Sequence, residues 1–385
     1  MKNELLHTPD GVRDIFGNES AVKRKIENSI SDVFDSFGYQ SVQTPTFEYF
    51  DVFSEKRGSV PSKDLYKFFD RAGNTLVLRP DITPSIARLV AKNYKDETFP
   101  IKLCYNSNTF INNSELQGKL KEITQLGCEL INDDSIDADA EMIALVVESL
   151  KATGLEDFMV EICEVDFYKG LISECGFDKK TEHNLRKAIV DKKNFEVESI
   201  LEEQQVSDNV KDALLKITEL FGSVEVLDKA LELTQNELAV KSINRLKELY
   251  SILEEYGVAK YISFDLGMIS NFKYYTGIIF KAYTYGSGDE IVTGGRYDNL
   301  IGQFDKEAAA IGFAIYVDQI ASVIYSKNPT FADEGKVVIV YDDSKRKEAI
   351  ECAKEKRANG AKVDLVKSAF AIDKFEDNIE VIEFK

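Results

Sequence analysis

The sequence predicts an α+β fold: an antiparallel sheet flanked by helices, with a helical insertion and a small C-terminal α/β domain. Three observations predict it. The stretch 101–132 reads as two apolar strands around a polar loop of about a dozen residues, a hairpin whose tip reaches over a ligand instead of closing in a tight turn. Residues from about 170 to 256 carry Leu- and Glu-rich helical patterns and no convincing strand. Beyond residue 335 a strand, a helix and two more strands follow one another in a short tail. The expected division is therefore 1–169 with 257–327 for the sheet domain, 170–256 for the insertion and 336–385 for the tail.

Composition narrows the function. With 385 residues and 44% hydrophobic content the chain can bury a large core. No apolar run approaches the ~20 residues that span a bilayer. The opening MKNELLHTPDG lacks the charged-then-apolar order of a signal peptide, so no membrane association is expected. Cys104, Cys128, Cys163, Cys175 and Cys352 are scattered, odd in number and without CxxC spacing. They read as buried or idle thiols in a reducing cytoplasm, not as disulfides or a metal site. The net charge of −19 argues against a nucleic-acid partner, because gripping tRNA means neutralising many phosphates with Lys and Arg.

The elements follow in order. Val22, Ile26, Ile30, Val33 and Phe37 recur at helical spacing between Glu19 and Phe37, and Gly38 stops the helix as a C-terminal cap would. Tyr39–Pro45 reads as a short strand. Phe68–Leu78 alternates like a hairpin about Gly73-Asn74. It leads into Arg79-Pro80-Asp81-Ile82-Thr83, after which Ser85–Tyr94 reads as a helix that the acid and hydroxyl could simply cap. In the central hairpin the strands are Ile101–Tyr105 and a returning strand that ends at Gly127–Ile131. Alternation puts Ile123, Gln125, Gly127 and Glu129 on one face, where the two polar residues line either a pocket or a solvated face. Ala138–Thr153 is an amphipathic helix and Phe158–Val165 an apolar strand. Val210–Phe221 and Ala239–Tyr256 are helical. The sheet resumes at Tyr261–Leu266, then Ile278–Ala282 joins Tyr274-Tyr275-Thr276-Gly277 to a Gly-Gly-Arg turn at Gly294-Gly295-Arg296-Tyr297-Asp298. Ala310–Ala314 begins a strand–helix unit. Asn328-Pro329 and Asp333-Glu334-Gly335 form a linker to Lys336–Tyr341, the helix Lys345–Ala358, the strand Lys362–Val366 and a last strand near Ile379–Phe384.

Several of these blocks resemble class II aminoacyl-tRNA synthetases in their histidyl form. The helix, Gly38, strand and Pro45 resemble the first class II motif, the central hairpin the second, and Ala310–Ala314 with its helix the third. The Tyr-Tyr and Gly-Gly-Arg-Tyr blocks resemble the two histidine motifs, and the Arg-Pro-acid-x-Thr element also has its counterpart. The resemblance runs nearly continuously over 1–320. The resemblance implies a histidine site built from Asp81, Thr83, Gln125, Glu129, Tyr274 and Tyr275, with Asp81 one methylene shorter than the family's usual glutamate.

Where those synthetases carry arginines, this chain has Ile111, Ser270 and Gln319. Adenylate formation places negative charge on an α-phosphate, and losing one preorganised cation costs ~3 kcal/mol of transition-state stabilisation. Lys119 and Lys121 remain in the hairpin loop, as hydrated point charges without the guanidinium fork. A synthetase fold stripped of these arginines, with about half of an anticodon domain, resembles the regulatory-subunit family of ATP phosphoribosyltransferase. That resemblance implies no catalytic residues and no cofactor. It implies pairing with a short-form catalytic subunit, L-histidine as feedback effector on the first step of histidine biosynthesis, and a homodimer core inside a hetero-octamer. An active histidine–tRNA ligase and a synthetase-like paralogue serving another partner are the alternatives.

Overall fold

The structure is a computed structural model that describes residues 6–54, 60–113, 119–173, 175–269, 275–331, 336–370 and 379–385. Ser270 and Tyr274 lie outside the described residues, as does Asp333-Glu334-Gly335 of the expected linker. The chain forms two compact units, one of Met1–Ile15 with Lys23–Ile324, the other of Phe16–Val22 with Tyr325–Lys385.

Helix α1 (Gly17–Ser36) buries Val22, Ile26, Ile30 and Phe34, a strict i, i+4 stripe. Phe34, not Val33 or Phe37, completes that stripe, with its ring edge-on to Phe313 at 5.8 Å. Gly38 at φ +82° turns the chain out of the helix, a backbone conformation that glycine adopts without strain. The expected strand after it is only β1 (Gln40–Ser41). Next, β2 (Phe47–Tyr49), β3 (Lys67–Phe69) and β4 (Thr75–Leu78) make a small antiparallel sheet in the order β2-β4-β3. Its turn at Gly73-Asn74 is held by the Asp70 carboxylate, which accepts from the Ala72 and Asn74 N–H groups.

After α2 (Thr83–Asn93) the hairpin strands β5 (Ile101–Phe110) and β6 (Glu122–Ile131) pair along their full length. β5 is thus twice as long as the apolar run Ile101–Tyr105. Its polar half stays in the sheet because its side chains find partners across the hairpin. Asn108 donates to Glu122 at 2.7 Å and accepts from the Thr124 hydroxyl at 2.9 Å. Helix α3 (Ile136–Ala152), capped by the Ser135 side chain, is buried on nearly every side and is not amphipathic as expected. Then come β7 (Phe158–Glu164), α4 (Val165–Ile172), α5 (Lys179–Val190), α6 (Asn194–Glu203), α7 (Asp208–Lys216), β8 (Phe221–Gly222), α8 (Glu225–Glu232) and α9 (Glu237–Glu255). Between 170 and 256 the described residues are helical apart from turns and β8, where the helix expected over Val210–Phe221 gives way after Lys216. α9 packs against both α3 and α4, which accounts for the burial of α3.

β9 (Ile262–Asp265), β10 (Ile278–Thr284), β11 (Val292–Arg296), β12 (Ala310–Tyr316) and α10 (Val317–Lys327) complete the unit. The nine-stranded sheet runs β1-β5-β6-β12-β11-β10-β7-β9-β8. It is antiparallel from β5 to β7, with β1 and β9 added in parallel. The Gly-Gly-Arg block is therefore not a turn but the middle of the sheet. A Cβ at Gly294 would lie 2.4 Å from the Phe280 ring, so the strand needs glycine to let that ring lie flat on it.

In the second unit β13 (Lys336–Tyr341), α11 (Arg346–Ala358), β14 (Lys362–Lys367) and β15 (Glu380–Phe384) form a parallel sheet in the order β14-β13-β15. Val337, Ile339, Ala349, Ala353 and Val363 are its core. Among the described residues no helix is long and apolar enough to cross a membrane.

Candidate functional site

Strand alternation builds the floor of one cleft. Register pairs Gln125 with Tyr316, Gly127 with Ala314 and Glu129 with Gly312, and then Thr293 with Ala314 and Gly295 with Gly312. These side chains share a face of the sheet. A cleft of about 520 Å³ opens over this face. Its walls come from Asp81 and Thr83 before and at the start of α2, Ile111 and Lys119 of the hairpin loop, Tyr275, Tyr297, and Gln319 of α10.

Two paired positions carry no side chain, which makes room for Glu129 and for the Tyr275 ring. A Cβ on Gly312 would fall 1.6 Å from a Glu129 oxygen, and one on Gly295 would lie 2.8 Å from the Tyr275 ring. Glu129 occupies the space under Gly312 and is completely buried. The Thr83 hydroxyl donates to one of its oxygens at 2.8 Å, and the Tyr297 hydroxyl donates to the other. Burial pushes the Glu129 carboxyl up to about 8, although both hydrogen bonds pull the other way. A partly solvated strand residue is thereby ruled out for Glu129.

Glu129 itself is not among the residues lining the cleft; it lies behind Thr83, Tyr297 and Gly312, which are, as are the expected site residues Asp81, Thr83, Gln125 and Tyr275, while Tyr274 is outside the described residues. Asp81 also accepts from the Thr83 N–H at 3.2 Å, so the capping role and the cleft position coexist. Gln125 is 7% exposed, and its Oε1 is buried without a hydrogen-bond partner among the described residues. Gln319 Oε1 is in the same condition. Tyr297 is the residue the sequence reading missed. Alternation from Thr293 and Gly295 would have placed it on the cleft face, had the block been read as a strand.

No arginine is among the described residues that line the cleft. Arg79 is buried, donating to the main-chain carbonyls of Asn108 at 2.7 Å and Thr44 at 2.9 Å. Arg296 points away from the cleft and grips the Asp139 carboxylate of α3 through Nε at 2.9 Å and Nη2 at 2.6 Å. Lys119 sits 3.2 Å from Asp289 at the rim, and both are about half exposed. Lys121 is not among the residues lining the cleft; its main-chain N–H donates to the Gly11 carbonyl at 2.7 Å. Ile111 and Gln319, where synthetases carry arginine, both face the cleft.

Residues 11–320 match the family described as histidyl-tRNA synthetase. The ATP phosphoribosyltransferase regulatory subunit of Acetivibrio thermocellus is 38% identical over 368 residues, spanning 95% of this chain and 88% of that protein. The chain belongs to the ATP phosphoribosyltransferase regulatory subunit family. A crystal structure described as an ATP phosphoribosyltransferase regulatory subunit/histidyl-tRNA synthetase from Bacillus halodurans superposes with a TM-score of 0.87 at 32% identity, covering 99% of this chain and 98% of that one. The histidyl-tRNA synthetase of Nostoc sp. PCC 7120 has a TM-score of 0.79 at 21% identity, over 96% of this chain and 87% of that one. That second likeness concerns the fold alone. It fits a regulatory subunit built on the class II synthetase α+β plan.

Proposed function

We propose that this chain is the histidine-sensing regulatory subunit of ATP phosphoribosyltransferase, without catalysis of its own, acting on the first step of histidine biosynthesis. The observation that carries the sensing role is the Glu129 carboxylate, fully buried beneath a cleft and held by the hydroxyls of Thr83 and Tyr297. A buried acid is costly unless something offsets its desolvation, and a cationic ligand beside it would do so. In this reading Glu129 and Tyr275 read the imidazole, with Tyr274 from the same motif. Asp81, Thr83 and Gln125 accept from the α-ammonium group.

The absence of arginine from the described cleft lining supports a role in binding over adenylate chemistry. The partner is a short-form catalytic subunit. The assembly is a hetero-octamer around a homodimer core formed through α1 and β1, working in the cytoplasm. The three-part division at 170–256 and 336–385 belongs to the same proposal, with the tail as a remnant or docking module.

Isothermal calorimetry with L-histidine, on the chain alone and with its catalytic subunit, tests the sensing role. Binding at one site per chain is expected, and the complete complex should be inhibited over the same concentration range. A complete complex that binds no histidine refutes it.

A further inference from the structure

We infer that Cys104 and Cys128 are a modification site, a cross-strand thiol pair that a peroxide closes to a disulfide in the hairpin beneath the cleft. The register of β5 and β6 places the two residues directly opposite each other. Opposed residues of an antiparallel pair come in two kinds, and the main-chain hydrogen bonds tell which kind this is. The Val42 N–H donates to the Cys104 carbonyl at 2.8 Å, so the main chain of Cys104 faces β1. The Asn132 N–H donates to the Ala309 carbonyl at 2.8 Å, and by two-residue alternation the main chain of Cys128 faces β12. Neither residue bonds its main chain to the other. They are a non-hydrogen-bonded pair, the closer of the two kinds, with Cα atoms about 4.5 Å apart and both side chains on one face of the sheet. Disulfides accept Cα separations of about 4.4–6.8 Å, so the strands as they stand satisfy that requirement.

Both thiols are free in the structure. Cys128 is completely buried and Cys104 is 6% exposed, so a small oxidant meets Cys104 first. Burial pushes the Cys104 thiol up to about 11, with Asp35 adding to the effect, and it raises the Cys128 thiol too, with Cys104 the next contributor. Neither is a fast nucleophile, which suits a pair that stays reduced until peroxide accumulates. The Cys104 thiolate attacks one oxygen of hydrogen peroxide, the O–O bond breaks, and a sulfenic acid and a water result. The Cys128 sulfur then displaces the sulfenic hydroxyl as a second water. Two thiols give two hydrogens to one peroxide, which leaves as two waters. The bond draws the Cβ atoms to about 3.8 Å, nearer than the roughly 4.5–5.5 Å of an unlinked pair. Cys128 stands between Gly127 and Glu129, whose positions face the cleft. The Glu129 carboxyl, packed under Gly312 and bonded to Thr83 and Tyr297, shifts with its strand. That effect on histidine rests on the reading proposed above; the thiol pair itself does not.

The test treats the folded full-length chain with hydrogen peroxide, caps the remaining thiols with N-ethylmaleimide and maps the digest by mass spectrometry. The peptides of Cys104 and Cys128 should be joined, and dithiothreitol should separate them. Cys175 and Cys352, more exposed and outside the sheets, serve as internal controls. The joined chain should melt higher than the reduced one. Cys104→Ser and Cys128→Ala should each abolish that rise, and circular dichroism confirms that both variants fold. If peroxide leaves Cys104 and Cys128 as capped thiols or separate sulfinic acids, or links either of them to Cys175 or Cys352 instead, the pair is refuted. Calorimetry should show histidine binding about fivefold or more weaker in the joined chain. Equal binding in both states refutes the coupling to the cleft and leaves the modification site standing. If the peptides join while the reduced chain binds no histidine, the histidine reading fails and the thiol pair survives.

Discussion

Glu129 carries two predictions at the scale of one side chain. The first is affinity. Glu129→Gln keeps the shape and forbids the ionised form that a cationic ligand would draw out, and a charge-assisted hydrogen bond contributes ~1.5–3 kcal/mol, so histidine should bind about ten- to a hundred-fold more weakly by calorimetry. The variant complex should remain assembled and need correspondingly more histidine for inhibition. The second is stability against pH. Burial raises the Glu129 carboxyl from an ordinary 4.5 to about 8. Between those values the native chain keeps a proton that the unfolded chain has released, so stability falls as pH rises across the window. Glutamine cannot lose that proton. The melting temperature of Glu129→Gln relative to the parent should therefore rise between pH 5 and pH 8.5. A difference that stays constant with pH would mean that Glu129 is not the group that titrates.

At the scale of elements, the third prediction concerns the strap between sheet and helix. Arg296→Met would leave Asp139 buried and only half compensated by Arg245, which bonds its other oxygen at 2.5 Å. Removing one partner of a buried pair costs ~3–5 kcal/mol, which urea denaturation should read as a lower midpoint. The hairpin gives the fourth. Ile111→Arg alone should not restore histidine-dependent ATP–pyrophosphate exchange, because Gln319 still stands opposite and Asp289 and Glu290 line the same cleft. Exchange at a rate typical of synthetases, in either protein, would overturn the non-catalytic reading.

Which elements the sequence reveals follows from the same physics. Apolar periodicity marks α1, β6, β7 and β13, because burial selects those side chains directly. It misses the polar end of β5, whose place in the sheet depends on cross-strand partners such as Glu122 and Thr124 that no local window contains. It misreads Gly294-Gly295 because glycine usually signals a turn. Here it signals rings packed flat on a strand. Tyr297 was hidden by that misreading. Asp81, Thr83, Gln125 and Tyr275 were visible because spacing within known motifs survives without knowledge of the tertiary partners.

For the whole molecule, the fifth prediction is assembly. Mixing the chain with its short-form catalytic subunit should raise that enzyme's activity and give a large complex by light scattering. If neither changes, the regulatory role loses its support. The strong negative charge, −19 over 385 residues, makes association sensitive to ionic strength if the catalytic subunit presents a basic face. The order of elements in the second unit was legible, since a strand, a helix and two strands in a short tail allow few arrangements. The parallel pairing of β14 and β15 on either side of β13 was not, because pairing direction depends on the path of the connections.

The two buried arginines also decide what this fold can still become. Arg79 and Arg296 are fastened to carbonyls and a carboxylate on which neighbouring elements depend, so neither can swing into the cleft without unlocking the scaffold. Among the described residues these two arginines serve as rivets, and the cation that does line the cleft, Lys119, is already paired with Asp289. A descendant returning to phosphate chemistry would have to acquire new cations at the rim, against the acids already there. If the cleft is the sensor proposed above, the change from catalyst to sensor works in this respect as a ratchet: each acid added at the rim raises the barrier to going back.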